Sequence, residues 1–143
     1  MSNSIAEETR AAKTGDPDPV EVALRWSDVD QYGHINNCAI MRLLEEARLR
    51  WLHRSGYFKD IAAVVASHQV TYLRPLYYSE EPALVTVAPI LVRRGSFDLR
   101  HVIRDAGESE VARATTRLVL IDLETQRPQS LPDGLSSFLG SRI

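Results

Sequence analysis

One long helical stripe stands between segments of strand period, and that pairing limits what this chain can fold into. Ile40, Leu43, Leu44, Ala47 and Trp51 fall at spacings of three, four, three and four, which puts them on one face of a helix from about Asn36 to Arg54. Asn36 or Asn37 can cap its start and Gly56 can end it. Ahead of it, Val20, Val22, Leu24 and Trp26 alternate with polar or small residues, the period of a half-buried strand. Behind it, "AAVVASHQVTYL", "ALVTVAPILV", "SFDLRHVIRD" and "EVARATTRLVLID" read as strands in a meander. Their separators are "RPLYYSEEP", "RRG" and "DAGES", and the last two read as hairpin turns. The order predicts an α+β fold in which one helix covers one face of an antiparallel sheet of about five strands.

A chain of 143 residues, 44% of them apolar, suffices for one domain with a single core. Residues 1–19 read as an N-terminal tail ending in "GDPDP", or as a short helix, since Ser4 with Glu7 three positions on resembles a capping box. Residues 20–143 then form the domain. One helix cannot cover all of a five-stranded sheet, so apolar surface remains for a second subunit, and a homodimer or a dimer of dimers is expected. In the alternative, the tail and "PDGLSSFLG" close that gap in a monomer. A net charge of −2 gives no overall attraction to nucleic acid or to an anionic membrane surface. A single cysteine excludes an intrachain disulfide, the first residues lack the apolar core of a signal peptide, and no stretch is long enough to cross a bilayer. The chain therefore reads as cytoplasmic.

Between the first strand and the helix lies "DVDQYGHINN", Asp28 to Asn37. A tight turn at Gly33 can swing the Asp30 carboxylate toward the first unpaired N–H groups of the helix. A carboxylate beside an anion-stabilising helix end suits acyl transfer, with the donors holding an oxyanion while Asp30 activates water or attacks directly. A thioester fits this small apparatus, because a thiolate with a conjugate-acid pKa of about 8.5 leaves without strong protonation. Ordinary turn and cap chemistry also selects aspartate, glycine and asparagine before a helix, so the spacing alone leaves both readings open.

The stretch "RWSDVDQYGHINNCAIMRLLEEARLRWL" resembles the first strand, active-site loop and central helix of hotdog-fold acyl-CoA thioesterases of the 4-hydroxybenzoyl-CoA thioesterase-like family, with their loop D-x-D-x-x-G-H-V-N-N and following E-x-A-R. "VVASHQVTYLRPLYYSEEPALVTVAPILVRRGSFDLRHVIRD" is similar to the family's next strands with their Arg-Pro exit. The resemblance implies a sheet wrapped around a central helix and hydrolysis of an acyl-CoA, or of an ester of acyl-carrier protein, with no cofactor. It puts the catalytic aspartate on Asp30 and the oxyanion donor on the backbone N–H near Asn37. Asp28 becomes a structural acceptor. Gly33, His34 and Asn36 become substrate-contacting loop positions, His34 with a positioning role. Arg93 and Arg94 in "VRRGSF" become the residues that meet the phosphates of coenzyme A, often across a subunit interface at which the active sites lie. Arg74 and His68 are weaker candidates to face the ligand. Many members carry a tyrosine where this chain has Ile40, which makes that pocket wall aliphatic.

Glu46 and Arg50 stand at the spacing of a surface ion pair, and Glu45 reads as part of the same solvated helix face. Cys38 reads as a small core residue, although a thiol at a helix start can be activated. The four histidines lie far apart with no short ligand spacing, so no metal is expected. No G-x-x-x-x-G-K, C-x-x-C or H-E-x-x-H motif is present. Two other readings stand beside the thioesterase: a hotdog hydratase, whose loop differs from "GHINN", and a non-catalytic acyl-CoA-binding or regulatory module.

Overall fold

The computed structural model describes residues 19–57 and 62–143. The tail expected over residues 1–19 therefore lies outside the described residues, apart from Pro19. Five strands follow in chain order: β1 (Val20–Val22), β2 (Ala62–Tyr72), β3 (Ala83–Val92), β4 (Ser96–Arg104) and β5 (Glu110–Ile121). Two helices accompany them, α1 (Asn37–Arg54) and α2 (Asp133–Gly140). All neighbouring strands are antiparallel, and the sheet order is β1-β3-β4-β5-β2.

This order corrects the expected meander. Only β3, β4 and β5 follow one another through hairpins; β2 lies on the far side and pairs with β5 from Ala62↔Ile121 to Tyr72↔Ala112. β1 holds the free edge of β3 through Val20↔Val85 and Val22↔Ala83, which leaves β2 only the edge of β5. The first strand is also shorter than its alternation suggests. After Val22 the chain leaves the sheet and makes a 3-10 turn over Trp26–Asp28, with Trp26 out in solvent.

The helical stripe behaves as its spacing predicts. Ile40, Leu43, Leu44, Ala47 and Trp51 are all buried, against Val20, Val22, Val85, Val87, Phe97, Leu99 and Ile103 among others. Burying each of the larger side chains contributes roughly 1.5–3 kcal/mol. α1 packs on β1 and β3, and α2 packs on β3. In α2, Leu135 and Leu139 are buried and Phe138 sits 5.6 Å from the Trp51 ring and 5.9 Å from the Tyr57 ring. "PDGLSSFLG" is thus a second helix, and it closes the core beside the C-terminal end of α1.

Among the described residues, the helices pack chiefly on β1 and β3. Val64, Val65 and Tyr72 on β2 are 43–46% exposed, and among the described residues no strand pairs with its outer edge. No helix among the described residues is long and apolar enough to cross a membrane.

Candidate active site

The loop between β1 and α1 is built on two aspartates with different duties. Asp28 is buried, and its carboxylate accepts hydrogen bonds from Arg25 Nε (3.1 Å), Arg25 Nη2 (2.9 Å) and Arg42 Nη2 (3.0 Å). Those bonds, from Arg25 above all, hold its carboxyl below the usual aspartate range against the opposing effect of burial. Its carbonyl accepts from the backbone N–H and the side-chain amide of Asn36, both at 2.9 Å. One residue thereby ties the strand exit to the helix start.

Asp30 shapes the turn itself. Its Oδ1 accepts the backbone N–H groups of Tyr32 (2.9 Å) and His34 (3.2 Å), while its carbonyl accepts that of Gly33 (3.0 Å). Gly33 sits at φ +82°, a conformation that disfavours any side chain with a Cβ, and it reverses the chain so that His34 returns beside Asp30. Oδ2 of Asp30 has no hydrogen bond within the fold among the described residues. The turn therefore uses half of the carboxylate and leaves half available.

Asn36, not Asn37, is the N-cap: its side-chain oxygen accepts from Ala39 N–H at 2.8 Å. The N–H groups of Asn37 and Cys38 in the first turn find no acceptor among the described residues. They form the positive end of an 18-residue helix.

A pocket of about 280 Å³ opens at this point, lined by Asp30, His34, Asn37, Ile40, Tyr72 and Arg74 among others. His34 is half-buried and stands edge-on to Tyr77 with ring centroids 5.1 Å apart. Ile40 is 3% exposed and supplies the aliphatic wall that the sequence suggests. Asp30, Asn37 and His34 thus meet in one place, with Asn36 and Gly33 behind them as cap and turn. Tyr72 and Arg74 enter the same pocket from the end of β2, where the Arg74 backbone N–H reaches Val111 O at 3.3 Å. The Arg-Pro exit was the only signal in the sequence that could have raised Arg74 above a weak candidate.

Arg93 and Arg94 lie in the β3–β4 hairpin, whereas the pocket borders Val111 at the start of β5, at the opposite end of the sheet. Arg93 is engaged by Asp98 through two bonds of 2.9 and 3.1 Å; Arg94 is exposed. Within one subunit this hairpin and the Asp30 pocket do not meet. Cys38 is exposed rather than in the core, since the capped first turn points it outward. Glu46 pairs with Arg50 at 2.5 Å, as expected of a surface pair, and Glu45 is 3.9 Å from Arg48. Among the described residues no three His, Cys, Asp or Glu side chains are grouped to hold a metal.

The sequence model of the thioesterase-like superfamily matches residues 24–139. The chain belongs to that superfamily. Its sheet order and central helix are those of the hotdog fold. It is similar to the long-chain acyl-CoA thioesterase FadM of Escherichia coli, 34% identical over 131 residues that cover 86% of this chain and 97% of the relative. A 1,4-dihydroxy-2-naphthoyl-CoA hydrolase of Rippkaea orientalis is 25% identical over 127 residues, covering 82% and 91% of the two chains. Among solved structures, a thioesterase from Thermus thermophilus complexed with coenzyme A and zinc superposes with a TM-score of 0.74 at 30% identity, covering 89% of this chain and 95% of that one. The match spans the Asp30 loop, α1, strands β2 to β5 and all but the last residue of α2.

Proposed function

We propose that the protein is an acyl-CoA thioesterase that hydrolyses its substrate to a free carboxylic acid and coenzyme A. The observation that carries this reading is the free half of the Asp30 carboxylate beside the two unpaired N–H groups at the start of α1. With the thioester carbonyl at those donors, Asp30 takes a proton from a water molecule as the oxygen adds to the carbonyl carbon. The oxyanion of the tetrahedral intermediate rests on Asn37 N–H at the positive helix end. Collapse re-forms the carbonyl and breaks the carbon–sulfur bond, and coenzyme A leaves as its thiolate. Direct attack by Asp30 gives the same products through an anhydride that water then opens.

His34 and Gly33 position the loop against the thioester. Arg74 meets the phosphates at the mouth of the pocket. The hairpin that carries Arg93 and Arg94 reaches a ligand only from a second subunit, and the uncovered face and free edge of β2 are where that subunit packs to form a homodimer. Acyl-carrier protein is the alternative carrier.

Release of free thiol from short, long and aromatic acyl-CoA esters tests this reading in the wild type and in Asp30→Asn. Asparagine keeps the oxygen that serves the turn and loses the base, so turnover is expected to fall on the order of a hundredfold or more with the fold intact. Undiminished turnover in the variant removes Asp30 from the mechanism. Binding of acyl-CoA without thiol release by the wild type establishes a binding module instead.

A further inference from the structure

The sheet carries a second concave site, on the face turned away from α1. Side chains alternate along a strand, so with Val87, Leu99 and Ile103 in the core, Ala88, Arg100 and Val102 point outward. A trough of about 290 Å³ lies on that outer face. The short side chains of Thr86, Ala88 and Val102 form its floor, and Arg100, Arg104, Arg113 and Glu110 stand around them. Strand register makes this arrangement: Thr86 and Ala88 lie opposite Val102 and Arg100, and Val102 in turn lies opposite Arg113. Arg100 is therefore a diagonal neighbour of Arg113 across the β4–β5 pair, about 7–8 Å away and within reach of so long a side chain.

Three guanidinium groups share a single carboxylate there. Glu110 accepts from Arg113 through Nε at 2.9 Å and through Nη2, and from Arg104 Nη2 at 3.3 Å. The Arg100 side chain has no hydrogen-bond or ion-pair partner among the described residues. Toward the start of β4 the same face is closed by its own carboxylate, since Arg93 and Arg117 direct four bonds of 2.9–3.5 Å at Asp98. Arg100 and Arg104 keep most of their donors, on either side of Val102, in a chain whose net charge is −2. Like charges at neighbouring strand positions repel, so the sheet gains nothing from this concentration until an anion joins it.

We propose that the trough is a binding site for a phosphate group, taken as the free ion or as the phosphomonoester of a small molecule. Such a group carries roughly −1.5 to −2 charges near neutral pH and three strong acceptor oxygens. The forked donors of Arg100 and Arg104 and the Thr86 hydroxyl meet those oxygens, while Arg113 stays with Glu110 and adds its charge. The volume lies at the lower bound of small-ligand pockets, about 300 Å³, which selects a compact ligand. The trough and the Asp30 pocket share the start of β5 but no lining residue: Val111 belongs to the pocket, Glu110 and Arg113 to the trough. The site is therefore separable from the hydrolytic one.

The test is calorimetric titration with inorganic phosphate and with AMP, against chloride at matched ionic strength. Wild type is compared with Arg100→Gln, Ala88→Glu, Arg74→Gln and Arg127→Gln. The wild type is expected to bind saturably, and Arg100→Gln to weaken that binding tenfold or more. Ala88→Glu sets a carboxylate opposite Arg100, so it abolishes binding without lowering the melting temperature, and it serves if Arg100→Gln does not fold. Arg127→Gln removes the same charge from an exposed turn and leaves the affinity within twofold, as does Arg74→Gln at the mouth of the Asp30 pocket. AMP bound more tightly than phosphate identifies a phosphomonoester as the ligand; phosphate bound alone identifies the free ion. Equal weakening in Arg127→Gln means that only overall charge is sensed, and binding lost in Arg74→Gln but kept in Arg100→Gln belongs to the Asp30 pocket; either result overturns the proposal. Absence of saturable binding also overturns it, and a changed sedimentation coefficient in Arg100→Gln would then assign the trough to a contact between copies of the chain.

Discussion

Replacing Asp28 by asparagine tests whether the loop is held in place by charge. The carboxylate accepts three hydrogen bonds from two guanidinium groups, and its side chain is 10% exposed. An amide of the same shape keeps one acceptor but turns N–H donors toward Arg25 or Arg42. Charge-assisted hydrogen bonds contribute about 1.5–3 kcal/mol when shielded, but Arg25 and Arg42 are 57% and 33% exposed and water replaces part of what is lost. Arg42 also has Glu46 within 3.8 Å as a second partner. These considerations lower the expected loss to about 2 kcal/mol, or roughly 8 °C in melting temperature for a domain of this size. Urea melts across a pH series provide the assay. The Asp28 carboxyl is held below its ordinary 3.8 in the folded protein, so the unfolded chain takes up the proton first as pH falls. Its contribution is therefore fully present above 3.8 and is lost as pH drops through the lower folded value. The gap between wild type and variant should be level at neutral pH and close in acid. A loss under about 0.5 kcal/mol at pH 7, the size of an ordinary surface substitution, or a gap that widens on acidification, would refute the ionic account of the loop.

Two further predictions concern backbone and core. His101 is held neutral by burial first and by Arg48 and His68 next, with its pKa lowered from 6.5 to about 3. Between those values the unfolded chain binds a proton that the folded one does not, so stability falls with pH by about 1.4 kcal/mol per unit from this group. His101→Leu should remove that slope and be at least as stable as wild type at pH 5; an identical pH dependence in both proteins would count against it. Gly33→Ala meets no atom within 4 Å of the added Cβ, so its cost is that of a left-handed backbone alone, about 1–2 kcal/mol. A larger loss by calorimetry would mean that the loop repacks.

The residues of the Asp30 loop were legible because their roles are local. A glycine three residues after an aspartate, followed by two asparagines and an apolar stripe, specifies a turn, a cap and a helix start through bonds that span at most eight positions. The helix was legible for the same reason. The strand segments could be read from their period, but their order could not, since β2 pairs with β5 between residues 40 to 59 positions apart and nothing in either segment encodes that choice. The pocket mouth was hidden likewise: Arg74 gains its place only because the sheet brings the end of β2 beside the start of β5.

By itself, then, the sequence determined which segments become helix and strand and where the Asp30 turn and the helix cap lie, because each of those outcomes is settled by neighbours along the chain. Tertiary structure alone decided that Asp28 is locked by Arg42, that the Arg93–Arg94 hairpin lies at the opposite end of the sheet from Asp30, and that Arg48 and His101 are buried instead of facing water. Burial and charge pairing at those sites depend on distances across the sheet and between the sheet and the helix, and a linear pattern carries no information about a distance until the strands have found their order.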